Sequence, residues 1–330
     1  MAAEQLVEVW RGDILECTHA GHAVVCNAAG EIVESWGDPD TVILPRSSAK
    51  MLQALSWVET GAADRAGLTD AHLAVACASH EGEAIHTDLV RRWLGDLGMS
   101  EGDLRCGVQS PWNRDLRNEM IREDAPLCQI HNNCSGKHAG FLTAMGTFGG
   151  DAEYTEVDHP VQQAVKANFE EVTELASPGF GVDGCSAPNY ATTVKGMAHA
   201  MAKFANASED GDARERGMAR LTRAMASHPA LVAGTGRACT ELMEAAGGRI
   251  ALKFGAEANY VAILPEQGLG ISLKITDGAT RGCEAVIAAL LVRLGVLEAD
   301  HPAVQKRMNV PMFSRRGIPA GRVVPVAGLR

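Results

Sequence analysis

A serine and a lysine three residues apart, Ser47 and Lys50 in Pro45-Arg46-Ser47-Ser48-Ala49-Lys50, open a run that reads as helix. Side chains at that spacing lie one above the other on a helix face. A neutral lysine there would take the serine's proton and make the hydroxyl a nucleophile, which is the chemistry of acyl transfer. The pattern alone is unselective. A chain of 330 residues should hold roughly one Ser-x-x-Lys by chance, and Thr192-Thr193-Val194-Lys195 is a near-miss that reads as an ordinary helix surface. The plainer reading makes Ser47 an N-cap and Lys50 a solvated first-turn lysine. Two features weigh against it. A lysine in the first turn faces the positive end of the helix dipole. Met51, Leu52, Leu55, Trp57 and Val58 also make this helix apolar enough to be buried. Burial lowers a lysine pKa from about 10.4, toward what a general base near neutral pH requires.

The elements that must hold such a pair fall into three blocks. Short β-rich runs at 6–10, 22–26 and 31–36 are separated by Gly and Asp turns. Helical periodicity then dominates, with helices expected over about 47–59, 83–97, 135–145, 159–175, 187–204 and 213–226. Strands return at 250–254, 258–264 and 270–276, followed by a helix over roughly 281–294. The tail after Asp300 carries Pro302, Pro311, Pro319 and Pro325, and little regular structure is expected there. Strands at both ends with helices between predict an α+β fold, in which one antiparallel sheet is built from both termini with the helical middle to one side. A single domain is expected over 1–330, with the sheet drawn from about 5–40 and 250–277. That arrangement resembles the serine β-lactamase and penicillin-binding architecture, where Ser-x-x-Lys opens a helix against the sheet.

Composition narrows the class. Hydrophobic residues are 46%, charged residues 22% and net charge is -11, as in a soluble globular protein with no basic cluster for nucleic acid. The start, Met1-Ala2-Ala3-Glu4-Gln5, has neither a basic nor an apolar region, so no secretory signal is expected. The longest apolar run, near 285–292, is too short for a membrane span. Nine irregularly spaced cysteines predict free thiols in a reducing cytoplasm, with Cys26, Cys77, Cys239 and Cys283 as small core residues.

Six segments in order carry a more specific signal: Pro45-Arg46-Ser47-Ser48-Ala49-Lys50, Cys77-Ala78-Ser79-His80, Asn133-Cys134-Ser135-Gly136-Lys137-His138-Ala139-Gly140, Val182-Asp183-Gly184-Cys185-Ser186-Ala187-Pro188, Gly234-Thr235-Gly236-Arg237 and Lys253-Phe254-Gly255-Ala256-Glu257. Together they resemble the rhizobial-type, or class-three, L-asparaginases, the asparaginase II family, over nearly the whole chain. The resemblance implies two serine–lysine couples, Ser47 with Lys50 and Ser79 with Lys253. Two ammonium groups close together disfavour each other's charge, so at least one lysine should titrate low. On this reading one serine, Ser47 or in a swapped assignment Ser79, attacks the side-chain amide of L-asparagine, ammonia leaves, and water hydrolyses the ester to L-aspartate. Taken alone, Ser79 reads more readily as a helix N-cap.

The resemblance further implies a Zn²⁺ site at Cys134, Lys137 and Cys185, shaping the pocket and tuning affinity rather than generating the nucleophile. Arg46, His138 and Asp183 become the substrate contacts, Asp183 for the ammonium and Arg46 or His138 for the carboxylate. Asp183 might otherwise cap the helix expected near Ala187. The remaining histidines, such as His19, His86, His159, His199 and His228, are assigned to surface or capping roles. A homodimer is implied, with no nucleic-acid or membrane partner. One departure stands out: the family pattern leads to expect a further glycine after Gly255-Ala256-Glu257, where this chain has Ala258-Asn259. Two other classes stay open. A β-lactamase or penicillin-binding acyl hydrolase lacks support from any Ser-Asp-Asn element, and a non-enzymatic zinc-binding interaction protein leaves the serine–lysine couples without a use. Glutamine, one methylene longer than asparagine, stays open as a weaker substrate.

Overall fold

The structure, a computed structural model, describes residues 2–329. Met1, where the expected domain and the stretch read for a signal begin, and Arg330 lie outside the described residues. The elements run β1 (Glu4–Arg11), β2 (Ile14–Asn27), β3 (Ile32–Trp36), β4 (Val42–Ile43), a 3₁₀ turn (Arg46–Ala49), α1 (Lys50–Val58), α2 (Ala62–Arg65), α3 (Asp70–Ala76), α4 (Ala84–Asp96) and α5 (Arg114–Arg122). After these come α6 (Ser135–Phe148), α7 (Pro160–Thr173), β5 (Phe180–Val182), β6 (Pro188–Tyr190), β7 (Thr192–Thr193), α8 (Val194–Asn206), α9 (Ala213–Ser227), α10 (Pro229–Val232) and α11 (Ala238–Ala245). The chain closes with β8 (Ala251–Gly255), β9 (Asn259–Leu264), β10 (Leu269–Ile275), α12 (Thr280–Arg293), α13 (Pro302–Met308), β11 (Val310–Phe313) and β12 (Pro319–Pro325).

Strands from both ends form one sheet in the order β11-β12-β1-β2-β10-β9-β8, with β3 also paired to β2. Its neighbours run antiparallel, so the α+β expectation matches. Ala23–Cys26 of β2 are buried without alternation, because helices cover both faces of the sheet. On β10, Gly270 lies against α8 and Ile275 against α12. Residues of opposite parity point to opposite faces. No helix among the described residues is long and apolar enough to cross a membrane.

Two expectations are corrected. The tail after Asp300 is ordered into α13, β11 and β12, and β12 pairs with both β1 and β11. Its prolines sit where a missing N–H is tolerated: Pro302 in the first turn of α13, Pro311 on the edge strand, Pro319 and Pro325 at the ends of β12. The helix expected from Ala187 starts only at Val194, capped by the Thr193 hydroxyl, which accepts from the Gly196 N–H at 2.9 Å. The stretch before it is β6, which pairs with β5 and leaves Asp183-Gly184-Cys185-Ser186-Ala187 as a hairpin turn. Asp183 therefore caps no helix.

Candidate active site

Ser47 sits in the 3₁₀ turn ahead of α1, half-buried, and its hydroxyl has no hydrogen-bond partner among the described residues. The turn is held against β8. A Cβ on Gly255 would come within 2.5 Å of the Pro45 carbonyl and 2.9 Å of the Ser48 nitrogen, so only glycine lets the strand carrying Lys253 approach this closely. Lys50 and Lys253 are both fully buried. Lys50 Nζ donates to the Ala78 carbonyl and lies 3.3 Å from Ser79 Oγ. Lys253 Nζ lies 2.8 Å from the same oxygen and 2.7 Å from the Phe254 carbonyl. Ser79 is fixed from behind by its own N–H, which donates to Val232 O at 2.9 Å. The structure brings Ser79 and Lys253 together as expected, whereas Lys50, held by the Ala78 carbonyl, also converges on Ser79 rather than bonding Ser47. Burial first, and the neighbouring Lys50 charge second, lower the Lys253 pKa to about 7.

A second lysine cluster lies alongside. Cys134 immediately precedes α6, Lys137 is in its first turn, and Cys185 projects from the β5–β6 turn. Lys137 Nζ donates to Cys185 Sγ at 2.9 Å. The Cys134 thiol donates to Asn133 Oδ1 at 3.0 Å. Its proximity and the Lys137 charge hold the Cys185 thiol well below its usual range against the opposing effect of burial. The Cys134 pKa is raised by Cys185 and by burial. Burial pushes Lys137 down, but the Cys185 thiolate, the neighbouring Cys134 and the Asp183 carboxylate outweigh it, and its pKa ends above the ordinary value. Among the described residues no group of three or more His, Cys, Asp or Glu is arranged to hold a metal. The donor set that does converge is two sulfurs and an amine. That chemistry fits a borderline-soft cation such as Zn²⁺ once Lys137 and Cys134 give up their protons.

Arg46 and Asp183, expected at opposite ends of an amino acid substrate, bind each other. Arg46 Nε and Nη2 donate to Asp183 Oδ1 at 3.0 and 2.7 Å. Burial would raise the Asp183 pKa, but Lys137 and Arg46 hold it below the usual carboxylate value. Arg46 itself adopts a left-handed backbone, φ 55°, and its N–H donates to Asn189 Oδ1. His138 lies elsewhere. It is fully buried, its Nδ1 is 2.9 Å from the Tyr154 hydroxyl, and it is absent from the cavity wall. Burial and the Lys137 charge keep it neutral, with a pKa well below 6.5. His19, His86 and His199 are buried rather than superficial, whereas His159 does cap α7.

Arg46, Ser47, Ser79, Cys134, Asp183 and Cys185 share one cavity of about 290 Å³. Sequence reading missed part of its wall. Trp112, Gln109 and Phe254 line it too, and no spacing singled them out. The Gly234-Thr235-Gly236-Arg237 segment was singled out without a role. In the structure Arg237 donates to Glu81 at 2.8 Å, and its guanidinium lies 5.2 Å from the Trp112 ring and 5.8 Å from that of Phe254. Gly234, at φ 114°, makes this possible, since a Cβ there would sit 2.6 Å from Glu81 Cγ. His80 was quoted only as Ser79's neighbour. It lies with Nε2 3.0 Å from Ser135 Oγ and is stacked on His86, joining the Ser79 loop to the start of α6.

A buried serine held by two lysines at a polar cavity is an arrangement able to carry a proton to and from a bound molecule. The chain belongs to the L-asparaginase II family, whose sequence model matches residues 7–325. Membership makes it an asparaginase-class amidohydrolase. A sequence search of curated proteins gives no match. Among solved structures the chain is similar to a β-lactamase from Mycobacterium bovis, with a TM-score of 0.43 and 14% identity, covering 83% of this chain and 94% of that one. It is also similar to Mglu in its native form, with a TM-score of 0.40 and 15% identity, covering 86% of this chain and 66% of that one.

Proposed function

We propose that the protein hydrolyses L-asparagine to L-aspartate and ammonia through a serine ester activated by lysine. The observation that carries this reading is the convergence of Lys253 and Lys50 on Ser79 Oγ at 2.8 and 3.3 Å, at the wall of the cavity that also holds Ser47. With a pKa of about 7, Lys253 is substantially neutral at physiological pH and can accept a proton. Ser79 then donates to Lys253 while accepting from the Lys50 ammonium, which makes it an oriented relay. An oxygen accepting from an ammonium is a poor nucleophile. The Ser47 oxygen carries no donor and opens on the cavity, so Ser47 attacks the amide carbon. Its proton enters the Lys50–Ser79–Lys253 network and leaves with ammonia. Water then cleaves the aspartyl ester, with the same network as base.

Arg46 and Asp183 supply opposite charges for the two ends of an amino acid, and the pair opens to receive them. Cys134, Lys137 and Cys185 would hold Zn²⁺, which when bound supplies a positive charge that shapes and polarises this side of the pocket. The test is ammonia release from L-asparagine by the wild type and by Ser47→Ala. The expected result is strong wild-type release, a variant at background, and an aspartyl ester trapped on Ser47 by mass spectrometry. An ester found on Ser79 would reverse the two serines' roles, and a wild type inert with added Zn²⁺ would remove the amidohydrolase reading.

A further inference from the structure

Part of the wall of the cavity that Arg46 and Asp183 also line is built by a segment with almost no core of its own. Between Cys106 and Ile130, both buried, the chain makes an excursion in which Pro111 alone is buried, and α5, which occupies its outer half, buries no residue. Such a segment is positioned by a few discrete contacts rather than by general packing. Three of them fall on consecutive residues. Pro111 lies against Gly82. Trp112 lies under the Arg237 guanidinium, which the Glu81 carboxylate holds at 2.8 Å. Asn113 Nδ2 donates to Glu83 Oε1 at 3.1 Å, while its Oδ1 caps α5. All three anchors reach residues 81–83, directly or through Arg237, and that stretch leads straight out of Ser79. The indole is therefore fixed relative to the Ser79 hydroxyl of the relay, although it is 41% exposed and belongs to a surface loop.

We propose that Trp112 is the specificity-determining wall of the cavity, clamped by Arg237, and that it sets the side-chain length of the amide accepted. The inference rests on the amidohydrolase reading above. With the amino acid's charged end held at Arg46 and Asp183, the reach to the serines is fixed, and the indole limits the room left for an additional methylene. A flat apolar ring rejects a longer chain by steric exclusion, and such a wall discriminates between neighbouring homologues by about 10- to 200-fold. Arg237 is a positioning residue in this scheme. Its planar guanidinium bridges Trp112 and Phe254 on the cavity side and Glu81 on the other, a geometry lysine does not reproduce.

The experiment compares kcat and KM for L-asparagine and L-glutamine in wild type, Trp112→Ala, Trp112→Phe and Arg237→Lys. Trp112→Ala is expected to raise the glutamine-to-asparagine ratio of kcat/KM about tenfold, with the asparagine loss in KM rather than kcat. Trp112→Phe should keep the wild-type ratio, and Arg237→Lys should move it in the same direction by about threefold. A merely structural role would lower both substrates in parallel, and a ratio unchanged in Trp112→Ala overturns the proposal. Should the wild type release ammonia from neither amide, the amidohydrolase reading falls separately. Calorimetric binding of L-aspartate and L-glutamate then reads the wall directly. A relative gain for glutamate in Trp112→Ala supports it, and a parallel change, or no binding to any of the proteins, overturns it.

Discussion

Lys253 and Lys137 are both buried, both bind a residue that lines one cavity, Ser79 and Cys185 respectively, and they titrate in opposite directions. Burial disfavours the charge on each. Around Lys253 the contacts are a hydroxyl and a backbone carbonyl, and the like charge of Lys50 adds to burial and outweighs the opposing effect of Cys239 and Cys134, so the pKa falls to about 7. Around Lys137 the contacts are a thiolate, a thiol and the field of Asp183, and the pKa rises. The difference teaches that depth alone does not make a lysine a base. The sign of its neighbours decides, and here a proton acceptor and a proton-saturated ion pair stand behind the wall of one cavity.

The sharpest break in that comparison is Lys253→Met. Removing the base should lower kcat about a thousandfold, while Lys137→Met should act mainly through KM and Zn²⁺ content. Equal kcat losses from the two would mean that both lysines carry protons. In the wild type, kcat/KM should fall about tenfold per pH unit below pH 7, as Lys253 becomes protonated. Stability follows with a definite sign. The folded pKa near 7 lies below the unfolded value of about 10.4, so between those limits the unfolded chain binds more protons and stability rises with pH. Urea unfolding at pH 7 and pH 9 should show this gain of about 1.4 kcal/mol per unit in the wild type and not in Lys253→Met.

The opposite manipulation is Cys185→Ala. It leaves Lys137 buried without its thiolate, and loss of one partner of a buried pair costs about 3–5 kcal/mol. Denaturation should register that cost, and Cys185→Ala with Lys137→Met should recover most of it. Zinc content, measured on the purified protein, is expected at one ion per chain in the wild type and near zero in Cys185→Ala. Full zinc retention would separate the sulfur–lysine cluster from metal binding.

The sequence was most readable where chemistry and periodicity coincide. The β-rich runs between Gly and Asp turns and the helical run after Ser47 marked the sheet and α1, and residue types at Ser47 and Ser79 marked the cavity. The resemblance paired Ser79 with Lys253, as the structure does, but that Lys50 also reaches Ser79 was not readable, because it depends on the Ala78 carbonyl, a backbone group with no signature in sequence. The order in the proline-bearing tail was hidden because its prolines fall at strand ends and on the sheet edge, where they disturb nothing. His138 looked like a polar pocket residue and proved to be a core histidine bound to Tyr154, since only packing says which helix face is inward. The Trp112 wall left no trace at all. Its position comes from contacts with Gly82, Glu83 and Arg237, far apart in the chain.

The smallest expected effect concerns the turns that border the two lysine sites. Each carries left-handed, non-glycine backbone: Ser186 at φ 70° beside Cys185, and Glu257 and Ala258 at φ 59° and 56° after Lys253's strand. Gly255 pairs with Asn259, so residues 256–258 form the tight connection in which the family pattern led to expect a glycine. Each such residue costs on the order of 1–2 kcal/mol. Glu257 is exposed, and Glu257→Gly keeps the carbonyl that accepts from Lys274, so relief of strain should exceed the added unfolded-state entropy and stabilise by about 1 kcal/mol or less. Ala258 is fully buried, and there the same change deletes a packed methyl worth about 0.8 kcal/mol, leaving a net effect near zero. Catalysis should be untouched in Glu257→Gly, because the Lys253 amine is held by Ser79 and the Phe254 carbonyl rather than by the turn. Thermal unfolding and kcat measured on the one variant decide this. A gain in stability with kcat unchanged makes the strain incidental, whereas a gain accompanied by a lower kcat would mean that the strained turn directs Lys253 toward Ser79.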